Sequence, residues 1–289
     1  MNIFNLISKF VARLIFNHRF LIYKKSFLHK EVIFDIDYKN KFNLGDTLFL
    51  IPLISELKKN KFSFKFKANN SQKSLINFYV PNIEFINNIE NKKNVIIVRS
   101  INVFKVKDYF NNVIFFDTTS KFVDEKLSIF IARNFFTFFQ IDFDSFDFNF
   151  KVSNNFNISN KILFSDEINS GFFRLNKTHF KKIYKIVEQY YNMGFEIYRL
   201  SNNDKYKKYI KFKYHQISKN DNLQPFLLDI HNQKFLKIIA FDTFISHISC
   251  INNIDTHIIM RNFNKRYTIR LKKYYFPITP PQNANVSFN

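Results

Sequence analysis

The sequence is poor in cysteine, glycine, proline and tryptophan. Its 289 residues include one Cys, three Gly, six Pro and no Trp. A single cysteine, Cys250, excludes an internal disulfide framework and any metal site built from several cysteines. Because glycine and proline supply most tight turns, their scarcity argues against a loop-rich β protein.

Acidic residues are also scarce. The chain has 23 Asp and Glu against 44 Lys and Arg, which gives a formal net charge of +21. Three kinds of partner suit such a charge: nucleic acid, an anionic membrane surface, or a phosphorylated substrate. The lysines are spread over the whole length and are not gathered with aromatic residues into one basic arm, so nucleic acid is the least favoured of the three.

Apolar residues are abundant. They make up 46% of the chain and include 41 Phe and 14 Tyr. This composition excludes wholesale disorder and supplies the core of one large domain or of two domains.

Residues 1–27 predict an amphipathic helix. Apolar side chains recur there at helical spacing, at Ile3, Phe4, Ile7, Phe10, Val11, Leu14 and Ile15. Basic residues interrupt the pattern, so no apolar run reaches the roughly 18 residues of a membrane span, and no signal-peptide cleavage pattern follows. Two interpretations stay open: the helix packs on the first domain, or it lies in the interface of a membrane with its basic residues toward anionic headgroups.

From residue 31 onward, short β-rich runs alternate with helical segments. The predicted strands of the first half are 31–36, 62–67, 83–86, 95–98 and 113–116, and its predicted helices are 46–60, 71–79 and 121–139. Such alternation predicts a parallel sheet with helices on both faces. The stretch 141–160 has no helical period and several Asn and Ser breakers, which is typical of a crossing between domains.

The alternation restarts after this crossing. The second half predicts strands at 161–165, 195–200, 214–217, 238–241 and 256–260, and helices at 177–192, near 232–238 and at 243–251. Asn192, Met193 and Gly194 are typical of a helix C-terminus. The pattern predicts an α/β protein of two Rossmann-like domains that face each other across a cleft. The predicted boundaries are 1–30 for the amphipathic helix, 31–150 for the first domain and 151–289 for the second domain with a C-terminal tail.

The first candidate site is the corner between strand 31–36 and the following helix. It carries Gly45 and Asp46, and ligands of open α/β sheets bind at such corners, outside the carboxyl ends of the strands. The glycine permits a tight turn or the close approach of a substrate, and the helix start favours a negative charge. The alternative is that Gly45 is an ordinary turn residue and Asp46 an ordinary helix cap.

The second candidate site is the corresponding corner of the second half. Asp242 and Thr243 are positioned to cap a helix there, and His247 lies one turn inside it. The free N–H groups of a helix start bind phosphate, and a hydroxyl and an imidazole on the exposed face would add donors. The alternative is a plain N-cap with a half-buried histidine.

In order and spacing, these motifs resemble those of glycosyltransferase family 9, the lipopolysaccharide heptosyltransferase-like enzymes of GT-B fold. The matching features in the first half are Gly45-Asp46, Pro52 and Leu57-Lys58; in the second half they are a basic position at Arg174 or Lys177, Phe180, and Asp242-Thr243 followed by His247. The resemblance covers roughly residues 31–265. Phe244-Ile245-Ser246 departs from the family, which usually has Gly-Pro-Met there.

The resemblance implies an inverting transferase that moves a sugar from a nucleotide-sugar donor to a lipopolysaccharide or other membrane-anchored glycan. It assigns the catalytic base to Asp46 and substrate binding to Gly45, Arg174, Lys177, Asp242, Thr243 and His247. We expect no metal ion, no cofactor and no nucleic-acid partner. We also expect a cytoplasmic protein, with peripheral binding to the inner face of the cytoplasmic membrane as an open alternative. The competing functions are a non-catalytic sugar-nucleotide or glycan-binding protein of the same fold and, less favoured, a nucleic-acid-binding protein.

Overall fold

The computed structural model describes most of the predicted strands and helices. The described residues are 31–37, 43–89, 95–100, 113–116, 135, 159–167, 175–201, 204–217, 223–241, 243–260 and 284–288. The predicted helix at 1–27, the crossing segment up to residue 158, and the predicted site residues Arg174 and Asp242 lie outside them. The chain divides into two compact units, Met1–Asn149 and Phe150–Asn289.

The first unit contains a four-stranded parallel sheet. Its elements are β1 (Glu31–Asp35), α1 (Leu44–Lys59), β2 (Phe64–Lys67), α2 (Asn70–Tyr79), β3 (Val95–Ser100) and β4 (Val113–Phe116). The strands are ordered β2-β1-β3-β4, and each neighbouring pair is parallel. The predicted strand at 83–86 is wrong, since only a single bridge between Phe66 and Phe85 forms there. Of the predicted helix at 121–139 the structure describes only Phe135, which is helical and buried.

The core of the first unit follows from the apolar runs. Val32, Ile33 and Phe34 of β1 are all buried, as expected for a central parallel strand that is covered on both faces. The Phe34 ring stacks on Phe66 of β2 at 4.7 Å between ring centres and on Phe135 at 5.6 Å. These contacts hold β1 and β2 in place and thereby fix the position from which α1 leaves the sheet.

The second unit contains a six-stranded parallel sheet. Its elements are β5 (Lys161–Ser165), α3 (Lys177–Asn192), β6 (Glu196–Leu200), a 3₁₀ turn (Lys207–Tyr209), β7 (His215–Ile217), α4 (Gln224–His231), β8 (Lys237–Phe241), α5 (Phe244–Ile251), β9 (Asp255–Met260) and β10 (Ala284–Phe288). The strand order is β10-β9-β8-β5-β6-β7. Read from β7, this is the doubly wound order 3-2-1-4-5-6 of dinucleotide-binding sheets.

One predicted helix of the second unit was wrong. The helix expected near 232–238 lies earlier, at Gln224–His231, where Pro225 in the first turn suits a helix start. Gln233 has a φ of 51°, which a helix interior does not allow. The predicted tail contains β10, which pairs in parallel with β9 as an edge strand.

Other predictions for the second unit are confirmed. Helix α3 ends at Asn192, and Gly194 takes a φ of 89°, a conformation that glycine adopts without the penalty of a Cβ. Its N–H donates to the carbonyl of Tyr191 at 3.0 Å. Cys250 is buried in α5, and burial raises the pKa of its thiol to about 12, which leaves it an inert core residue.

The strand orders indicate where ligands bind in each sheet. In the first unit the order changes direction between β1 and β3, and in the second between β5 and β8. Ligands of open α/β sheets bind outside the carboxyl ends of the strands at such switch points. The residues that follow β1 and β3, and those that follow β5 and β8, are therefore the places to look for a site.

Candidate functional site

The corner after β1 presents Asp46 at the start of α1. Asn43 is the N-cap, and the helix begins at Leu44, two residues earlier than predicted. Asp46 Oδ2 accepts a hydrogen bond from the backbone N–H of Asn43 at 3.0 Å, so the carboxylate does cap the helix. The side chain is partly exposed. A capping role for Asp46 is compatible with a role as a base. A base must be in its carboxylate form, and the partial positive charge of a helix start stabilises that form.

Gly45 lies in the first turn of α1 and not in a tight turn before it. It does not adopt a left-handed conformation, and among the described residues no heavy atom lies within 4 Å of the place where a Cβ would be. A helical glycine costs roughly 1 kcal/mol relative to alanine. Neither the backbone conformation nor packing within the described chain therefore requires glycine at this position.

Gln72 of α2 holds this corner in position. Its Nε2 donates to the carbonyl of Ile36, just after β1, at 2.6 Å, and to Thr47 Oγ1, next to Asp46, at 3.3 Å. Gln72 is fully buried. Gln72 was not among the residues predicted from the sequence, although its position three residues after the cap Asn69 is the signature of a capping box.

An ion pair lies at the switch point of the first unit. Asp35, the last residue of β1, is 1% exposed, and its Oδ2 accepts from Arg99 of β3 at 2.9 Å (Nε) and 2.8 Å (Nη2). Lys67 of β2 lies 3.9 Å from its other oxygen. This ion pair was not predicted from the sequence either, because Asp35 and Arg99 are far apart in the chain.

The corner after β8 carries Thr243 as the N-cap of α5. The Thr243 N–H donates to Ser246 Oγ at 3.2 Å, which forms one half of a capping box. The Thr243 side chain makes no cap hydrogen bond in return, and its buried Oγ1 has no hydrogen-bond partner among the described residues. His247 is 6% exposed, so it is a buried residue and not a donor on an open face.

Ser165 adds a second buried hydroxyl to this switch point. It ends β5, and in the parallel register it pairs with Ala240 of β8, shortly before Thr243. Ser165 is fully buried, and its Oγ has no hydrogen-bond partner in the described part of the chain. Buried hydroxyls are almost always hydrogen-bonded, so two unsatisfied ones at neighbouring strand ends call for an explanation.

A buried charge cluster lies on the other side of β5. Asp166 (0% exposed) accepts from Arg199 of β6 (1% exposed) at 3.2 Å from Nε and 3.0 Å from Nη2, and from Tyr184 Oη of α3 at 2.6 Å. Arg199 Nη1 also donates to Asp204 at 3.3 Å. Burial alone would lower the pKa of Arg199, but the bonds to Asp166 outweigh it and the pKa is raised. Burial, together with the charge of Asp166, raises the pKa of Tyr184 well above its usual value.

Lys177 is the one predicted basic ligand among the described residues. It begins α3 and is exposed, and Asn176 caps the same helix by accepting from the Thr178 N–H at 3.1 Å. The Lys177 ammonium lies 5.0 Å from the centre of the Tyr209 ring. Its hydrogen bond, together with the charges of the neighbouring lysines, lowers the pKa of the Tyr209 phenol.

Among the described residues, no group of three or more His, Cys, Asp or Glu side chains is close enough to hold a metal ion. No helix in that part of the chain is long and apolar enough to cross a membrane.

Solved structures of glycosyltransferases resemble this chain over most of its length. The family 9 glycosyltransferase of Veillonella parvula has a TM-score of 0.55 at 10% identity, over 90% of this chain and 86% of that one. The E. coli heptosyltransferase WaaC with ADP has a TM-score of 0.54 at 8% identity, over 89% of this chain and 93% of that one. E. coli ADP-heptose lps heptosyltransferase II has a TM-score of 0.53 at 11% identity, over 89% and 90%.

The fold is that of glycosyltransferase family 9. This confirms the fold that the sequence motifs predicted, a mixed α/β protein with parallel sheets. No protein-family model matches the sequence, and neither does any curated protein. At identities of 8–11% the likeness concerns the fold alone, so the roles of Asp46, Lys177, Thr243 and the other predicted site residues remain predictions.

Proposed function

We propose that this protein is a glycosyltransferase that moves a sugar from a nucleotide-sugar donor to a lipopolysaccharide or other cell-surface glycan. The observation that carries the proposal is the pair of βα corners at the switch points of a family 9 glycosyltransferase fold. A transfer reaction needs a base for the acceptor hydroxyl and a group that accepts the leaving diphosphate. We assign the base to a residue of the first unit and the diphosphate site to residues of the second.

Asp46 is the proposed base. Its carboxylate is partly exposed at a helix start, and the space beside Gly45 allows an acceptor hydroxyl to approach. Asp46 takes the hydroxyl proton while the acceptor oxygen attacks the anomeric carbon of the donor sugar. The bond from that carbon to the diphosphate oxygen breaks, and the electron pair leaves with the nucleoside diphosphate. A single displacement of this kind inverts the anomeric configuration.

The α5 start is the proposed diphosphate site. Free N–H groups at a helix start bind phosphate. The buried hydroxyls of Thr243 and Ser165 have no partner among the described residues, and phosphate oxygens could accept their hydrogen bonds. Lys177 adds positive charge, and we propose the same for Arg174. Asp242 and His247 belong to the same proposed site, and His247 supports it from a buried position. We propose that these groups replace a metal ion in the neutralisation of the diphosphate.

ADP-heptose is the first donor to test. Structures of WaaC with ADP and with ADP-2-deoxy-2-fluoro heptose share this fold, at TM-scores of 0.54 and 0.53. The high positive charge of the chain favours an acceptor on an anionic membrane surface. We therefore propose a cytoplasmic enzyme that binds peripherally to the inner membrane, with residues 1–27 as its amphipathic contact.

The experiment is a transfer assay with ADP-heptose and heptose-free lipopolysaccharide, run with and without EDTA. Wild type should transfer the sugar with inversion and keep its rate in EDTA. Asp46→Asn should bind ADP as tightly as wild type and lose transfer by at least about 10²-fold, the scale of general-base catalysis. Asp46→Asn with unchanged transfer would refute the assigned base.

A non-catalytic nucleotide-sugar-binding protein is the second candidate function. The observation that favours it is the helix cap formed by Asp46. One carboxylate oxygen, Oδ2, already accepts a hydrogen bond from the Asn43 N–H, as in an ordinary structural cap. If wild type binds nucleotide-sugars but transfers none of a broad donor panel to any acceptor, this second function replaces the first.

A further inference from the structure

The surface where α3 begins carries several lysines around one tyrosine ring. The ammonium nitrogens of Lys177, Lys181 and Lys208 lie 5.0, 5.5 and 5.6 Å from the centre of the Tyr209 ring. Next to them, Lys205 lies 5.3 Å from the centre of the Tyr206 ring. The Tyr209 cluster is defined here as Lys177, Lys181, Lys205, Lys207, Lys208, Tyr206 and Tyr209. Its five lysines are all exposed.

Ring contacts anchor the Tyr209 cluster to the core. The Tyr206 ring lies 4.2 Å from the ring of Phe180, which is 1% exposed and belongs to the core of the second unit. Tyr206 and Tyr209 stack at 6.3 Å with an angle of 28° between their planes. The 3₁₀ turn therefore holds Lys207 and Lys208 beside aromatic rings that contact the core, and the first turns of α3 supply Lys177 and Lys181.

The positive charge of the Tyr209 cluster is only partly balanced. Asp204 lies 3.8 Å from Lys207 and also accepts a bond from Arg199. In the part of the chain that the structure describes, no carboxylate pairs with Lys177, Lys181 or Lys208. Because all three lie on one ring, their ammonium groups are at most about 11 Å apart. That is near the Debye length of roughly 8–10 Å, so their mutual repulsion is only partly screened.

We propose that the Tyr209 cluster is a binding site for a ligand that carries two or more phosphate groups. A polyanion replaces the repulsion among the ammonium groups with attraction, and phosphate oxygens are strong acceptors for lysine donors. A single carboxylate is too small to bridge three ammonium groups held around one ring. The lowered pKa of the Tyr209 phenol, caused first by its hydrogen bond with Lys177, reflects the same local excess of positive charge.

The phosphate groups could belong to a soluble compound or to a membrane-anchored lipid or glycan. This proposal goes beyond the transferase function, because Lys181, Lys205, Lys207 and Lys208 are not assigned to the donor site. Lys177 is shared with the proposed donor site and is left unchanged in the test. The donor site and the Tyr209 cluster can therefore fail separately.

The test compares two double variants with the same net charge. Lys181→Gln with Lys208→Gln removes two ammonium groups from the Tyr209 cluster. Lys59→Gln with Lys73→Gln is the control, since Lys73 lies 5.8 Å over the Phe85 ring without other lysines on that ring among the described residues. The probes are sodium tripolyphosphate, measured by titration calorimetry, and vesicles of phosphatidylglycerol, with phosphatidylcholine vesicles as the uncharged reference. Each measurement is made at 50 and 200 mM NaCl.

Wild type should bind tripolyphosphate more weakly at the higher salt. The Lys181/Lys208 variant should lose at least about tenfold in affinity, and the control less than about twofold. Binding to tripolyphosphate alone assigns a soluble ligand, whereas vesicle binding that tripolyphosphate displaces assigns a membrane-anchored one. Equal losses in both double variants would attribute the binding to overall charge and overturn the site, and so would a lack of binding to either probe by wild type.

Discussion

Replacement of Arg199 by methionine should strongly destabilise the second unit. Arg199 is 1% exposed and makes two bonds to Asp166, which is 0% exposed. Methionine fills much of the volume but leaves the Asp166 carboxylate buried beside the single described bond from Tyr184. The loss of one partner from a buried pair costs about 3–5 kcal/mol, which is a large part of the 5–15 kcal/mol that stabilises a typical domain.

The measurement is urea unfolding followed by circular dichroism, together with thermal melting. A loss of about 3 kcal/mol corresponds to a fall of roughly 10 °C in melting temperature for a unit of this size. The matched control is Lys237→Met, since Lys237 also pairs across neighbouring strands, with Asp255 at 2.5 Å, but Asp255 is 46% exposed. That variant should lose about 1 kcal/mol or less, because the Asp255 carboxylate that loses its partner is exposed to solvent.

A double variant separates the ion pair from simple packing. Asp166→Asn combined with Arg199→Met removes both charges, so it should be less destabilised than the sum of the two single variants. If Arg199→Met lowers the free energy of unfolding no more than Lys237→Met does, a buried Asp166 without its partner does not destabilise this part of the fold. The reasoning from burial would then be refuted.

Two further predictions concern the second unit. Tyr184 has a raised pKa, caused first by burial, so the folded state holds its proton above pH 10 whereas the unfolded chain releases it. Stability should therefore fall with rising pH above about 10, by up to about 1.4 kcal/mol per pH unit more in wild type than in Tyr184→Phe, as unfolding titrations can measure. A parallel fall in both proteins would contradict this. Ser165→Ala removes a buried hydroxyl without a partner, so it should leave stability unchanged or raise it by about 1 kcal/mol while it weakens ADP binding several-fold. Weakened binding in a destabilised protein would point to a structural role instead.

Local patterns made most of the fold predictable. The run Val32-Ile33-Phe34 predicts a buried strand because a parallel strand is covered on both faces, and Gly194 predicts a helix end because few other residues adopt its φ of 89°. Helix α4 was misplaced because Pro225 was not recognised as a first-turn residue of an eight-residue helix. The edge strand β10 was missed because its pairing with β9 depends on the sheet and not on its own sequence.

The charged pairs of the site could not be predicted in this way. Asp35 and Arg99 lie 64 residues apart, and Asp166 and Arg199 lie 33 apart. Their contacts exist because β1 lies beside β3 and β5 beside β6, which no local pattern encodes. The sequence shows Ser165 only as the last residue of a predicted strand, and its burial without a described hydrogen-bond partner beside β8 emerged only from the sheet.

The two units place their ion pairs on different sides of the first strand, and this difference supports the proposed division of work. In the first unit, Asp35 and Arg99 bridge β1 and β3, at the switch point itself. In the second unit, Asp166 and Arg199 join β5 to β6, away from the switch point between β5 and β8. A buried Asp166 without Arg199 would repel a diphosphate bound nearby; with Arg199 it is neutralised. The switch point of the second unit therefore carries hydroxyls and helix N–H groups, which can bind an anionic donor. The switch point of the first unit carries the Asp35–Arg99 ion pair, whose buried carboxylate suits an anionic donor less well.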